Sequence, residues 1–344
     1  MYKSEPFRLG IIGAGGIGSI HIRNSINNKD INLVGICELD KEKAKSCIKG
    51  LRIPIAENVN ELIKLRPEGI VIASSTTSHG KVAKSIIKAK IPFLCEKPLA
   101  SSLNQAKQIA NYANEQSVYG AMAFNRRFHK RYSEMRKAIQ IGEIGTPETL
   151  HVTSRSANAP SAKFISTSGG LFGEKGSHFY DLIRWMLNSD IREVFAYGDA
   201  LFDPEFKTIN QPDTAVVLMR LNNGVLCSLN FSWRSGYGHD ERLEIAGSKG
   251  MIQTVQNTNT SEHDTDKKAF FKLRNLPNWN EVFKQTYSDE LVVFISEIRN
   301  GHREIYQLFL MVLKHKKLLM RLISLSRQKS QFFLITCKNV QLIN

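Results

Sequence analysis

Near the N-terminus, Gly13-Ala14-Gly15-Gly16-Ile17-Gly18 has the residue types and spacing to hold a phosphate with backbone alone. It follows the apolar run Phe7-Arg8-Leu9-Gly10-Ile11-Ile12 and precedes a helical stretch. In such a turn the first glycine bends the chain tightly and the second lets a pyrophosphate approach. The third lets the helix pack close to the strand. The helix N-terminus adds N–H groups and a partial positive charge. A second apolar run, Ile31–Cys37, ends at Glu38, about 20 positions beyond the glycines, where a carboxylate accepts hydrogen bonds from adenosine ribose hydroxyls. That charge repels a 2′-phosphate, so NAD is expected rather than NADP. Asp40 reads instead as the start of the next helix.

A second constellation is Glu174 and His178. Four residues apart on a helix, they share a face. A carboxylate beside an imidazole orients the ring and favours the proton it takes up, which is equipment for acid–base chemistry. Asp181, one turn further, either supports that site or is a structural acceptor. The histidines show no His-Glu-x-x-His spacing, and no metal is expected. The five cysteines are Cys37, Cys47, Cys95, Cys227 and Cys337, with no C-x-x-C pair. Reduced thiols in a cytoplasm fit better than a disulfide framework or a zinc site.

Two rhythms of elements must position these residues. The first third alternates strands (7–12, 31–37, 70–73, 92–95, 118–124) with helices (59–65, 82–89, 103–113). That pattern predicts a doubly wound parallel sheet, a Rossmann domain, with ligands at the carboxyl ends of its strands. Ser74–His79, Glu96-Lys97-Pro98 and the residues after Phe124 fall at such ends. Beyond them, strands at 149–154, 193–197, 214–221, 225–231 and 242–246 are joined by tight turns, including an Asn-Gly turn at Asn223-Gly224. An α+β domain with an open, mostly antiparallel sheet is expected, one face covered by helices or by another subunit. Asn257–Lys268 is polar and reads as a loop.

With these pieces placed, the chain resembles the glucose-fructose oxidoreductase / inositol dehydrogenase / MocA family over roughly residues 7–304. The resemblance rests on Gly13–Gly18, Glu96-Lys97-Pro98, Asn125-Arg126-Arg127-Phe128, Gly169-Gly170 with Gly176-Ser177-His178-Phe179-Tyr180-Asp181, and Glu244–Gly250. It implies an oxidoreductase that transfers hydride between a nicotinamide cofactor and a secondary alcohol or ketone of a sugar or cyclic polyol. It also implies a homodimer or homotetramer built through the sheet. The implied domains are 1–124 for NAD, 125–304 for substrate and oligomerisation, and 305–344 as an atypical basic tail.

The resemblance implies that His178 is the proton acceptor and that Lys97 assists it by holding the reacting oxygen. Glu174 stands where many relatives carry Asp, and either touches substrate or only orients His178. The cofactor contacts implied are Gly13, Gly15, Gly16, Ile17, Gly18, Glu38, Ser75, Thr76, His79, Glu96 and Lys97. For substrate the candidates are Asn125, Arg126, Arg127, Asp181 and Trp233. Trp233, Arg234, Tyr237 and His239 either line a sugar pocket or pack in the core or an interface. The alternative is a catalytically impaired dinucleotide- or sugar-binding protein of the same fold.

The net charge of +15 points at first to nucleic acid or anionic lipid. Its placement argues otherwise: Ile305–Asn344 holds seven Lys or Arg and no acid, and the rest is dispersed. No nucleic-acid partner, signal peptide or membrane span is expected. Relatives continue past Glu304 with an Asp-Gly pair and an alanine-rich helix, whereas Ile305–Asn344 is Leu- and Lys-rich. Codons for Leu310–Ile323 can be chosen so that the frame one nucleotide earlier reads Asp-Gly-Phe-Lys-Ala-Gln-Lys-Ile-Ala-Asn-Ala-Ile. The tail therefore reads as a frameshifted C-terminus, the rival reading being a basic amphipathic segment for a membrane or partner.

Overall fold

The structure, a computed structural model, describes residues 5–254, 276 and 278–301, and the backbone of 333–336 and 340–342. The Asn257–Lys268 loop and most of the 305–344 tail lie outside the described residues. Among the described residues, those up to Phe128 and from Lys284 to Asn300 form one compact unit, and those from His129 to Phe283 belong to another.

In the first unit, β1 (Phe7–Ile12), β2 (Ile31–Cys37), β3 (Ile55–Ala56), β4 (Gly69–Ile72), β5 (Phe93–Glu96) and β6 (Gly120–Ala123) form a parallel sheet in the order β3-β2-β1-β4-β5-β6. The crossovers contain α1 (Gly16–Ile26), α2 (Lys41–Ile48), α3 (Val59–Lys64), α4 (Thr76–Lys88) and α5 (Leu103–Glu115). Every residue of β4, β5 and β6 is buried, as expected for strands covered on both faces. Ile12, Ile72, Phe93, Ile86 and Ile109 fill one side, and Phe7, Leu9, Ile11, Val71 and Leu94 the other. Chain direction across the sheet switches between β1 and β4, where an open α/β sheet leaves a crevice. The helix expected from Val82 starts earlier, at Thr76, so Thr76 and His79 sit in its first turns.

The second unit opens with α6 (Lys130–Gln140), β7 (Pro147–Arg155) and α7 (Ala162–Ser168). A π-helical turn, Phe172–Gly176, runs into α8 (Ser177–Leu187). Then come β8 (Ile191–Asp199), α9 (Pro204–Thr208), β9 (Thr214–Leu221), β10 (Leu226–Ser232), β11 (Asp240–Gly247), β12 (Gly250–Gln253), α10 (Trp279–Asn300), β13 (Phe333–Thr336) and β14 (Val340–Leu342). The sheet order is β12-β11-β7-β10-β9-β8-β13-β14; β7 and β10 pair in parallel and the other pairs are antiparallel. Gly224, at φ 91°, makes the Asn-Gly turn between β9 and β10. β9 alternates: Ala215, Val217, Met219 and Leu221 are buried, while Val216 and Leu218 are exposed. On the covered face Phe179 of α8 meets Phe231 at 5.6 Å between ring centroids.

From Lys284 on, α10 belongs to the first unit. Leu291, Phe294 and Ile295 join the core of Phe7, Leu9 and Ile11, and Phe294 stacks on Tyr119 at 6.0 Å.

Candidate active site

The first unit presents a backbone cradle. Gly13 has φ 101°, and a side chain there would place its Cβ 2.5 Å from the Ala73 carbonyl oxygen. A Cβ on Gly18 would run into the Gly13 carbonyl, whereas Gly15 and Gly16 face open space. The outer glycines therefore close the turn, and the inner two leave its mouth clear for an approaching group. Ile17 is half-buried in the first turn of α1.

Helix capping marks the same place. Asp40, Asn58 and Ser102 cap α2, α3 and α5 by accepting backbone N–H groups. The helices that leave β1 and β4 have no side-chain cap and no acid in their first turns. Those strands are neighbours at the switch point. Two helix ends with N–H groups not taken up by a cap side chain thus flank one crevice, an arrangement suited to a bridging pyrophosphate. Glu38 stands at the tip of β2. Its carboxylate accepts the Ala14 N–H at 2.7 Å and the Asp40 N–H at 3.0 Å, which fixes a negative charge beside the glycine turn. These residues fit an NAD molecule.

Further strand ends carry the remaining first-unit residues. Ser75 is exposed and precedes Thr76 at the start of α4. The Lys97–Pro98 peptide is cis, and Lys97 is half-buried just past β5. His79 is buried, with Nδ1 2.9 Å from the Pro98 carbonyl oxygen and Nε2 3.0 Å from that of Ser74. The ring thereby sits between the β4–α4 loop and the Glu96-Lys97-Pro98 turn, with one nitrogen facing a backbone carbonyl of each. The Glu96 carboxylate lies 3.0 Å from Nε2 of buried His21 on α1. Asn125 is buried, donates to Thr286 Oγ1 at 3.0 Å and accepts from buried Arg126 at 3.2 Å. The Arg127 guanidinium lies over the Phe124 ring at 5.8 Å.

His21, Glu96 and Glu290 are, among the described residues, a group of metal-ligating type, with donor atoms within 4.8 Å of one another. His21 and Glu96 are already at hydrogen-bond distance, and hydride transfer needs no metal there. Three of the described thiols, Cys37, Cys95 and Cys227, are poorly placed for nucleophilic chemistry. Burial, helped by the Glu38 and Glu61 carboxylates, pushes Cys37 up to about 11; burial pushes Cys227 up to about 12 and raises Cys95 as well. Protonated thiols are poor nucleophiles.

The second unit carries side-chain chemistry. Glu174 lies in the π-helical turn and His178 in the first turn of α8, both half-buried; Asp181 is fully buried one turn on. Gly176 is required between them, because a Cβ there would sit 2.5 Å from the Tyr180 hydroxyl. Trp233 is buried, and its ring lies under the Lys175 ammonium at 4.9 Å. Tyr237 and His239 turn to other partners: Tyr237 donates to Asp240 at 2.9 Å, and His239 Nε2 is 3.4 Å from Glu241. Arg234 lies over Phe202 at 4.3 Å. Lys175 was not foreseen. Between Glu174 and Gly176 it reads as a solvated lysine, and only the packing of β7 against this turn shows it buried.

Two family models match the chain. One, described as an oxidoreductase family with an NAD-binding Rossmann fold, covers residues 7–124. The other, a GFO/IDH/MocA C-terminal domain, covers residues 132–253. A myo-inositol 2-dehydrogenase of Thermotoga maritima is 32% identical over 86% of this chain and 89% of its own length. An NAD-dependent scyllo-inositol 2-dehydrogenase of Bacillus subtilis is 29% identical over 86% of each chain. The crystal structure of a myo-inositol dehydrogenase from Corynebacterium glutamicum superposes with a TM-score of 0.84 at 26% identity, covering 96% of this chain and 99% of that one.

Proposed function

The chain belongs to the GFO/IDH/MocA oxidoreductase family, and from that premise we propose that it oxidises one secondary hydroxyl of an inositol. It is an NAD-dependent oxidoreductase acting on CH–OH groups. The nicotinamide, when bound, supplies the hydride acceptor. The protein's own task is to hold the alcohol and move one proton. His178 takes the hydroxyl proton, and Glu174, one helical turn earlier, orients the imidazole and stabilises its charge. Lys97 donates to the reacting oxygen as negative charge develops on it. Arg126 and Asn125 serve substrate binding from the end of β6. The Gly13–Gly18 turn, Glu38 and the start of α4 at Ser75 and Thr76 hold the dinucleotide.

One observation carries the redox reading: the uncapped starts of α1 and α4 lie side by side at the switch point, next to a glycine turn that tolerates no side chain at Gly13 or Gly18. The inositol follows from relatives that align along most of both chains. No observation favours a catalytically impaired protein. The test is absorbance at 340 nm with NAD and a panel of myo-inositol, scyllo-inositol and common aldoses. Absorbance should rise with NAD and an inositol, and far more slowly with NADP in place of NAD; no turnover with any panel member overturns the reading.

Tyr197, Val216, Leu218 and Leu226 are exposed on β8, β9 and β10, and this supports a homo-oligomer formed through the open face of the second sheet. No helix among the described residues is long and apolar enough to cross a membrane. Cys37, Cys47, Cys95 and Cys227 are free thiols, which supports a reducing compartment such as the cytoplasm.

A further inference from the structure

Lys175 is unusual for a lysine that follows a glutamate in sequence: it is 6% exposed. Its ammonium donates to Ser156 Oγ at 2.8 Å, lies 3.4 Å from Ser154 Oγ at the end of β7, and sits over the Trp233 ring at 4.9 Å. Two hydroxyls and an aromatic face, from β7 and from the residue after β10, therefore fix where the charge is held. A free lysine side chain loses rotamer entropy when it is ordered; here the fold has already ordered it.

The position along the helix gives this charge its meaning. Glu174 and Lys175 precede His178 by four and three residues, across the junction where the π-helical turn passes into α8 with Gly176 and Ser177 already in right-handed helical backbone. A carboxylate and an ammonium thus leave the chain within about one turn of the group assigned as proton acceptor, and they differ in function. A carboxylate can only accept hydrogen bonds, while an ammonium carries three N–H donors and accepts none. A polyhydroxylated ring has hydroxyl oxygens on either side of the reacting carbon, and a donor fixed beside the base can read one of them.

We propose that Lys175 is a specificity-determining residue that donates a hydrogen bond to a hydroxyl oxygen of the polyol other than the one oxidised. The assignment rests on His178 being the base of the reaction. Lys175 then selects which hydroxyl is presented to His178, and Trp233 acts beneath the ammonium rather than stacking on the sugar. The substrate class this defines is a neutral cyclic polyol with a free hydroxyl near the reacting carbon.

The test is a cycle between protein and substrate. Wild type, Lys175→Met and Lys175→Gln are assayed with NAD on the best inositol of the panel and on its monodeoxy analogues. Removing a charged donor to a bound hydroxyl should raise KM about tenfold to a hundredfold, with kcat changed less than about threefold and the pH profile of kcat kept. One analogue should lose a similar factor in wild type and almost nothing more in Lys175→Met. Should Lys175→Met fail to fold, Lys175→Gln and Ser156→Ala carry the same comparison, the latter with a smaller rise in KM. Additive losses for every analogue, or a fall in kcat with a displaced pH profile, overturn the role of Lys175 while leaving the inositol dehydrogenase reading intact. Wild type inert toward all inositols overturns that reading itself, and this one with it.

Discussion

The two units recognise their partners by different means. The first works with backbone: glycines that admit no Cβ, two helix starts without side-chain caps, and strand ends on one rim of a parallel sheet. The second works with side chains: Glu174, Lys175, His178 and Asp181 project from one helical run laid against a mixed sheet. Backbone recognition suits a ligand that every member of a fold shares, because a phosphate makes the same demand everywhere. Side-chain recognition suits the variable ligand, since one substitution can alter it without touching the sheet. Substitutions in the run from Glu174 to Asp181, and at Lys97, Asn125 and Arg126 on the first unit's strand ends, should therefore act on turnover and substrate choice, and those in the glycine turn and at Glu38 on the dinucleotide.

The largest effect should come from the second unit. His178→Ala removes the base, and kcat/KM for the inositol should fall about a hundredfold to ten-thousandfold. NAD affinity, read by quenching of protein fluorescence or by calorimetry, should stay within about threefold. Weakened NAD binding with unchanged kcat would break the division of labour. Next is Gly18→Ala in the first unit. The added Cβ meets the Gly13 carbonyl, and steric overlap costing about 1–3 kcal/mol predicts about a tenfold to hundredfold loss of NAD affinity. Substrate selectivity at saturating NAD should be unchanged.

The same contrast explains what could be read in advance. Five of the first unit's six strands were legible within a few residues, because parallel strands are continuous apolar runs and glycine spacing reports the turn directly; the two-residue β3, Ile55–Ala56, is too short to leave such a run. In the second sheet β7 to β11 were legible, from alternation as in β9 and from the Asn223-Gly224 turn, while β12, β13 and β14 were not. Helix α10 was harder. Phe283, Tyr287, Leu291 and Phe294 recur at helical spacing and are buried, yet exposed Val292 and Val293 blur the stripe. Nothing local says that the helix starts with the second unit and packs with the first. In the site, Glu38, Glu174 and His178 stood out by type and spacing, and Lys97 only through the resemblance carried by Glu96-Lys97-Pro98. The bracing of His79, the His21–Glu96 pair and the burial of Lys175 depend on which loops face one another, and no periodicity carries that information.

The smallest effect tests the acidic side chain at the tip of β2. Glu38 has two tasks: its charge at the tip of β2 disfavours a 2′-phosphate, and its two oxygens hold the Ala14 and Asp40 amides. Glu38→Gln removes the first task whole and leaves half of the second. The amide keeps the length of the side chain and one acceptor oxygen, but loses the charge. If repulsion sets the preference for NAD, the ratio of kcat/KM for NAD over NADP should narrow about fivefold to tenfold, mainly through a lower KM for NADP. Glu38→Ala also frees the Ala14 N–H and should additionally weaken NAD. An unchanged KM for NADP in Glu38→Gln, beside a loss for NAD in both variants, would mean that Glu38 serves the backbone cradle alone. Cofactor choice would then belong to the backbone as fully as phosphate binding does.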